Sequence, residues 1–199
     1  MSVAAEKAKR PYRMGKRAAS TEATRRRIVE AMWDLVKDRW YDEVTLRELA
    51  ATAGVALQTV VNHFGTKEAI LAASIEQPVP EEWLSRDKAK PNDVGGAVRL
   101  LVGDYERVGD AAIRLLALEG RIPALRPSMD WGRRVHREWV ASTFPAALED
   151  LRGAARERRL DLLVCATDVY TWKLLRRDRR LSQAQTAAAI RQLVEALHR

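Results

Sequence analysis

The 199 residues, 47% of them hydrophobic and 31% charged, are enough for one large or two small domains with a real core. No stretch reaches the roughly 18 apolar residues of a membrane span, no apolar segment follows the charged N-terminus as in a secretory signal, and the single cysteine, Cys165, excludes a disulfide framework or a multi-cysteine metal site. These features predict a soluble, cytoplasmic protein.

The net charge of +8 is concentrated at the N-terminus. Residues 1–27 contain nine basic side chains and two acidic ones, so nearly all of the excess lies there. Because residues 1–20 include Pro11 and Gly15 and lack apolar periodicity, we predict that they form a flexible basic arm. A localised basic block attracts a polyanion, although a solvated tail would have the same composition.

Two helices are predicted next. The first begins at Thr21, has apolar residues at helical spacing on one face, and runs to about Arg39. After a short loop, Thr45 opens the second helix, and Glu48 three residues later completes a capping box. The second helix is predicted to end where Gly54 supplies the left-handed conformation of a sharp turn.

Two further helices complete this first unit, which we place at residues 21–76. One is short and covers about Leu57 to Phe64, and the other begins at Lys67 with Thr66 as its cap. The segment QPVPEEW, residues 77–83, then interrupts the helical pattern and indicates a domain boundary.

Residues 77–199 are predicted to form a second, helical domain. No strand alternation longer than a few residues occurs, so the predicted fold class is all-α. Gly153 is expected to bend the long central helix near its end, and Ser182 to cap the last helix. The helices are expected at about 94–107, 110–119, 129–152, 158–178 and 183–198.

Two short helices joined at Gly54, behind a longer first helix, have the geometry of a helix-turn-helix. In this unit the third helix lies in the major groove of DNA, which is about 12 Å wide, so its outer face must carry polar side chains that reach base edges. Val60 and Phe64 would face the core. The polar side chains of the third helix fit the outer face: Gln58, Thr59, Asn62 and His63.

The segment TLRELAATAGVALQTVVNHFGTKEAIL, residues 45–71, resembles the tetracycline-repressor-like (TetR) family. The resemblance covers turn, apolar, small and polar positions together. It implies a helix-turn-helix DNA-binding domain followed by a variable helical domain that binds a small molecule and forms the dimer. The expected DNA-binding residues are Arg25, Arg26, Thr45, Arg47, Gln58, Thr59, Asn62, His63 and Lys67.

The resemblance further implies that Thr45 and Lys67 contact phosphates. A lysine in the first turn of a helix is unfavourable with the helix dipole unless an anion lies there, which supports this role for Lys67. Two positions depart from the family pattern. Val61 replaces the usual Tyr, and Ala56 replaces a capping Ser, which costs about 1 kcal/mol of helix stability.

The helices near 158–178 and 183–198 carry apolar residues on more than one face and must be covered on more than one side. This pattern predicts a homodimer through a four-helix bundle, with the internal core of a monomer as the alternative. An unidentified small-molecule effector would bind in the second domain. Its pocket candidates are Tyr105, Trp131, His136, Trp139 and Trp172, although ordinary core packing would also explain them.

The sequence therefore predicts a ligand-responsive repressor that binds a palindromic operator in double-stranded DNA as a homodimer. No nucleophile–base pair, paired carboxylates, metal-ligand pattern or glycine-rich phosphate loop is recognisable, so we expect no catalytic residues, metal or cofactor. The alternative is a nucleoid-like or general nucleic-acid-binding protein without a ligand switch. A footprint on a palindromic site would separate the two.

Overall fold

The computed structural model describes residues 11–76 and 85–197. Within these ranges the chain consists of helices and connecting turns and has no strand, which confirms the predicted all-α class. None of the described helices is long and apolar enough to cross a membrane. The predicted boundary at residues 77–83 lies outside the described residues.

The N-terminal helices are α1 (Pro11–Val36), α2 (Leu46–Thr52), α3 (Leu57–Phe64) and α4 (Lys67–Ile75). The last three follow the predicted limits. The prediction of a flexible arm over residues 1–20 is wrong for residues 11–20, which are helical. Pro11 stands at the start of α1, where its fixed φ favours a helix and its missing N–H costs nothing, and the basic residues that follow are good helix formers. Residues 1–10 lie outside the described ranges.

The ends of α2 to α4 are fixed by local signals. The Thr45 hydroxyl accepts a hydrogen bond from the Glu48 N–H at 3.1 Å, and Thr66 caps α4 through the Ala69 N–H at 3.1 Å. The Glu48 carboxylate does not complete the predicted capping box, because it accepts from Arg39 of the preceding loop. Gly54 has a φ of +64°, as its place in the turn requires.

The C-terminal helices are α5 (Val94–Leu116), α6 (Arg126–Thr143), α7 (Gly153–Thr167), α8 (Val169–Lys173) and α9 (Gln183–Ala196). The prediction of two helices at 94–107 and 110–119 is wrong, because α5 is continuous through Gly109. A Cβ at Gly109 would lie 2.5 Å from the ring of Trp172, so this glycine allows α8 to approach α5 closely rather than ending a helix.

Two other predicted helix limits differ from the structure. The predicted helix 129–152 ends at Thr143, since Pro145 disfavours helical conformation in the residue before it, and Gly153, with a φ of +52°, begins α7 instead of bending a helix. The predicted helix 158–178 is broken at Asp168, whose carboxylate caps α8 through the Tyr170 N–H at 2.8 Å. Ser182 forms a reciprocal capping box with Gln185 at the start of α9.

The described residues form two buried clusters, one within the C-terminal helices and one to which both halves of the chain contribute. Trp172, Phe144 and Leu163 are fully buried among α5 to α9. The N-terminal cluster surrounds Ile28, Met32, Leu49 and Val60, and it also contains four side chains from the end of α5 and from the connection to α6: Leu115, Leu118, Ile122 and Leu125. The N-terminal helices are therefore packed directly on the end of α5 and on the connection that follows it.

Candidate DNA-binding surface

The third helix presents a polar face to solvent. Val60 is fully buried and Phe64 packs against the N-terminal cluster, which fixes the rotation of α3 about its axis. Gln58 and Asn62 consequently project outward and are exposed, and the Gln58 side-chain amide donates to Asn62 Oδ1 at 2.9 Å. Thr59 and His63 lie at the edge of this face and are half-buried. Glutamine and asparagine amides suit adenine, which offers one donor and one acceptor in the major groove.

Two apolar side chains accompany this polar face. Leu57 is 41% exposed and Val61 is 38% exposed, although residues of these types are usually buried. The sequence analysis identified Val61 only as a replacement for the usual tyrosine and did not assign Leu57 to this surface. Apolar side chains on a groove-facing helix can contact the thymine methyl group, so both belong to the candidate surface. Ala56, at the N-cap of α3, provides no side-chain cap.

The basic residues of α1 have different surroundings. The Arg25 guanidinium lies 4.4 Å from the centre of the Phe64 ring, so it is tied to the end of α3. Arg26 pairs with Glu30 at 3.5 Å along the same helix. Arg27, which the sequence prediction omitted, approaches the helix-turn-helix bend, with Nη1 at 3.8 Å from a Cβ placed on Gly54. Its position within the basic run Arg25–Arg27 was the sequence feature that could have identified it as part of the surface.

The amino ends of α2 and α4 carry the predicted phosphate contacts. Thr45 and Arg47 are exposed at the start of α2. Lys67 is half-buried: its Nζ donates to the Tyr41 carbonyl at 2.5 Å and lies 3.9 Å from the centre of the Tyr41 ring. Partial burial lowers the pKa of Lys67 from its ordinary value, and the charge of Asp42 opposes this effect.

Four of the five predicted pocket residues are buried among the C-terminal helices. The Tyr105 and Trp172 rings are 5.8 Å apart, and the His136 and Trp139 rings stack at the same distance. Trp131 lies away from this group and is 58% exposed on α6. The four rings therefore pack as two pairs within the C-terminal helices.

Polar contacts hold this cluster together. The Tyr105 hydroxyl donates to the Thr167 carbonyl at 3.0 Å, and Trp139 Nε1 donates to the Arg86 carbonyl at 3.1 Å. His136 Nε2 lies 3.1 Å from the Thr167 hydroxyl, while His136 Nδ1 is buried and has no hydrogen-bond partner. Burial, together with the charge of Arg86, lowers the pKa of His136 to about 4.

The low pKa of His136 predicts a loss of stability in acid. The unfolded chain takes up a proton on this histidine below its ordinary pKa of 6.5, whereas the folded protein does so only near 4, so stability is lost as the pH falls through this interval. The expected contribution is about 2 kcal/mol at pH 5. Urea unfolding of the parent and of His136→Gln at pH 7 and pH 5, at one protein concentration, measures it; equal losses in the two proteins would contradict the assignment.

The helices α7 to α9 leave several large apolar side chains exposed. They are Leu162 on α7 at 52%, Tyr170 on α8 at 53%, Leu174 directly after α8 at 53% and Leu193 on α9 at 46%. Between α7 and α9 runs a shallow apolar groove of about 380 Å³, lined by Leu162, Cys165, Ala166, Thr171, Leu193, Ala196 and Leu197. Cysteine is usually a buried residue type, but the Cys165 side chain opens onto this groove and is exposed.

Comparison with known proteins agrees with this architecture. Residues 28–74 match the family model described as bacterial regulatory proteins, tetR family. A putative TetR-family transcriptional regulator from Mesorhizobium loti MAFF303099 is 20% identical, with a TM-score of 0.63 over 89% of this chain and 96% of that chain. A transcriptional regulator from Rhodococcus sp. Rha1 is 16% identical, with a TM-score of 0.65 over 87% and 95%. No curated protein matches significantly in sequence.

The matched segment contains α2 and α3, the bend at Gly54 and most of α4, which are the elements that form the exposed polar face. The two solved structures extend the similarity in fold to the C-terminal helices. Residues 28–74 thus match a DNA-binding domain of the tetR type, and the described chain as a whole has the fold of a TetR-like regulator.

Proposed function

We propose that the protein is a homodimeric repressor that binds a palindromic operator and releases it when a small molecule binds among its C-terminal helices. The observation that carries this proposal is the outward polar face of α3, on which Gln58 and Asn62 are exposed while Val60 anchors the helix in the core. A helix presented in this way can enter the major groove and read base edges. The protein would act in the cytoplasm, on chromosomal DNA.

The phosphate contacts proposed for this surface surround α3. Lys67 at the start of α4, Thr45 and Arg47 at the start of α2, and the basic residues of α1 would hold the sugar–phosphate backbone and set the register of α3 in the groove. Arg25, which stacks on Phe64, links α1 to the end of α3. Gln58, Thr59, Asn62 and His63 would then supply the base contacts.

The proposed dimer forms through the exposed face of α7 and α9, within the regions 158–178 and 183–198. Exposed leucines at 46–53% and an apolar groove are the pattern of a surface covered by a second copy of the chain. A two-fold dimer presents two copies of α3 to two half-sites one helical turn or more apart, which is why the operator should be palindromic.

The effector would bind beside the cluster of Tyr105, His136, Trp139 and Trp172. His136 Nδ1 offers a buried group without a hydrogen-bond partner, and the aromatic rings provide apolar contact. Because these side chains are packed together in this structure, a ligand must bind a rearranged form more tightly than the DNA-binding form in order to release the operator.

Selection of bound duplexes from a randomised DNA pool, followed by footprinting, tests the proposal. We expect an enriched palindrome with two protected half-sites separated by about one helical turn or more. Protection that extends evenly along any duplex, without an enriched sequence, would instead favour the nucleoid-like alternative. Repeating the binding assay with a small-molecule library then tests the proposed release.

A further inference from the structure

A turn in the N-terminal half links Arg121, from the connection between α5 and α6, to Lys67, a predicted phosphate contact. The 3₁₀ turn Tyr41–Glu43 precedes α2, and the connection between α5 and α6 lies against it. Arg121 in that connection binds Asp42 of the turn through two parallel hydrogen bonds, Nη1 to Oδ2 at 2.8 Å and Nη2 to Oδ1 at 2.8 Å. Bidentate pairing of this kind fixes the orientation of both groups, as a single ionic contact does not.

Tyr41, next to Asp42, fixes the first two residues of α4. Its side chain is buried, with 6% exposed, and its hydroxyl donates to Glu68 Oε1 at 2.9 Å. Its carbonyl accepts from Lys67 Nζ at 2.5 Å, and the face of its ring lies 3.9 Å from the same Nζ. The long Lys67 side chain is therefore held at the amino end of α4 before any anion arrives.

An ammonium group has three donors, and the described contacts of Lys67 use one of them, on the Tyr41 carbonyl. The contact with the Tyr41 ring occupies a second side of the ammonium group, which leaves a donor for an anion at the amino end of α4, where the helix dipole also favours negative charge. Ordering a flexible lysine in advance removes an entropic cost that would otherwise be met on binding. The position of Tyr41 thereby sets how readily Lys67 binds a phosphate.

We infer that Arg121 is a positioning residue for DNA binding: by holding Asp42, it fixes the turn whose Tyr41 carbonyl and ring orient Lys67 toward a DNA phosphate. This inference rests on the proposed function, because it takes Lys67 as a phosphate ligand. It gives the C-terminal half a direct connection to the DNA surface, since Ile122 and Leu125 of the same connection are packed in the N-terminal cluster and the turn Pro123–Leu125 contacts α4.

The effect of Arg121 should appear in DNA affinity more than in folding. Arg121 and Asp42 are 61% and 55% exposed, and exposed ion pairs contribute little to stability. We expect Arg121→Gln and Asp42→Asn each to raise the Kd for the selected duplex about two- to fivefold with little change in Tm. Arg121→Lys, which keeps the charge, should recover part of the loss. Arg137→Gln is the matched control, because it removes exposed ion pairs of an arginine with Glu157 and Asp161 that lie between α6 and α7, away from the connection that holds Arg121.

Two measurements connect the effect to Lys67. In a Lys67→Ala background, Arg121→Gln should have no further effect on Kd, since both changes act through the same contact. In the parent background without DNA, Arg121→Gln should raise the rate at which an acetylating reagent modifies Lys67, read by mass spectrometry with the exposed Lys88 as internal reference.

An Arg121→Gln effect of equal size with and without Lys67 would overturn the inference, as would an unchanged acetylation rate at Lys67. If Lys67→Ala binds the selected duplex as tightly as the parent, this inference fails while the reading by α3 stands. If the protein selects no duplex at all, the proposed function itself fails.

Discussion

Replacing Leu193 with Glu is expected to convert the proposed dimer to a monomer and thereby to abolish tight binding to the proposed operator. Leu193 is 46% exposed beside the groove between α7 and α9, so the isolated chain accommodates a carboxylate there. In the proposed dimer the same carboxylate loses its water on both sides of the two-fold axis. Burying unpaired charge is strongly unfavourable, and the dimer should weaken by at least about 4 kcal/mol, or a thousandfold.

Sedimentation velocity at micromolar concentration measures this change directly, and the Kd for the selected palindrome reports its consequence. A monomer engages only one half-site and loses the gain in affinity that comes from joining two. Val135→Glu is the control, because Val135 is also an exposed apolar residue, at 38%, but lies on α6 away from the groove. A dimeric Leu193→Glu protein with normal operator affinity would show that α7 and α9 do not form the interface.

Removing the amides of Gln58 and Asn62 together is expected to abolish sequence-specific binding while leaving the fold intact. A well-placed amide pair with adenine contributes about 1–3 kcal/mol of base discrimination, so the double alanine variant should lose roughly a hundredfold or more in affinity for the selected duplex. The two side chains are exposed and bond to each other at 2.9 Å, so removing both leaves no buried group without a partner.

Binding to unrelated DNA at low salt should persist in this variant, because the phosphate contacts are unchanged and that mode is electrostatic. The comparison of Kd values for the selected duplex and for a scrambled one therefore separates base recognition from binding to the phosphate backbone. Gln183→Ala removes an exposed glutamine at the start of α9 and is the control. Retained preference of the double variant for the selected duplex would place base recognition elsewhere.

The sequence predicted α2, α3 and α4 well because local chemistry fixes their ends. Thr45 and Thr66 cap helices, and Gly54 adopts the left-handed conformation that the bend requires. Elsewhere the limits depend on packing between distant residues. Gly109 lies inside a helix because Trp172, 63 positions later in the sequence, occupies the space that a Cβ would need.

The candidate site likewise combines features that follow from the local sequence with contacts that depend on packing between distant residues. The outward direction of Gln58 and Asn62 follows from the buried Val60 and could be read from helical spacing. The attachment of Lys67 to the Tyr41 carbonyl, across a separation of 26 residues, could not, and neither could the pairing of Arg121 with Asp42 over 79 residues. Such contacts follow from how helices pack, which a pattern along the chain does not specify.

Leu115, Leu118, Ile122 and Leu125 lie within the same buried cluster as Ile28 and Met32. The two halves are in direct apolar contact at this place, so a local opening of either half would expose buried apolar side chains of the other to water. A fragment of the protein that ends near residue 76 would lack four side chains of the N-terminal buried cluster. A rearrangement that moves these side chains in one half therefore changes the packing of the other.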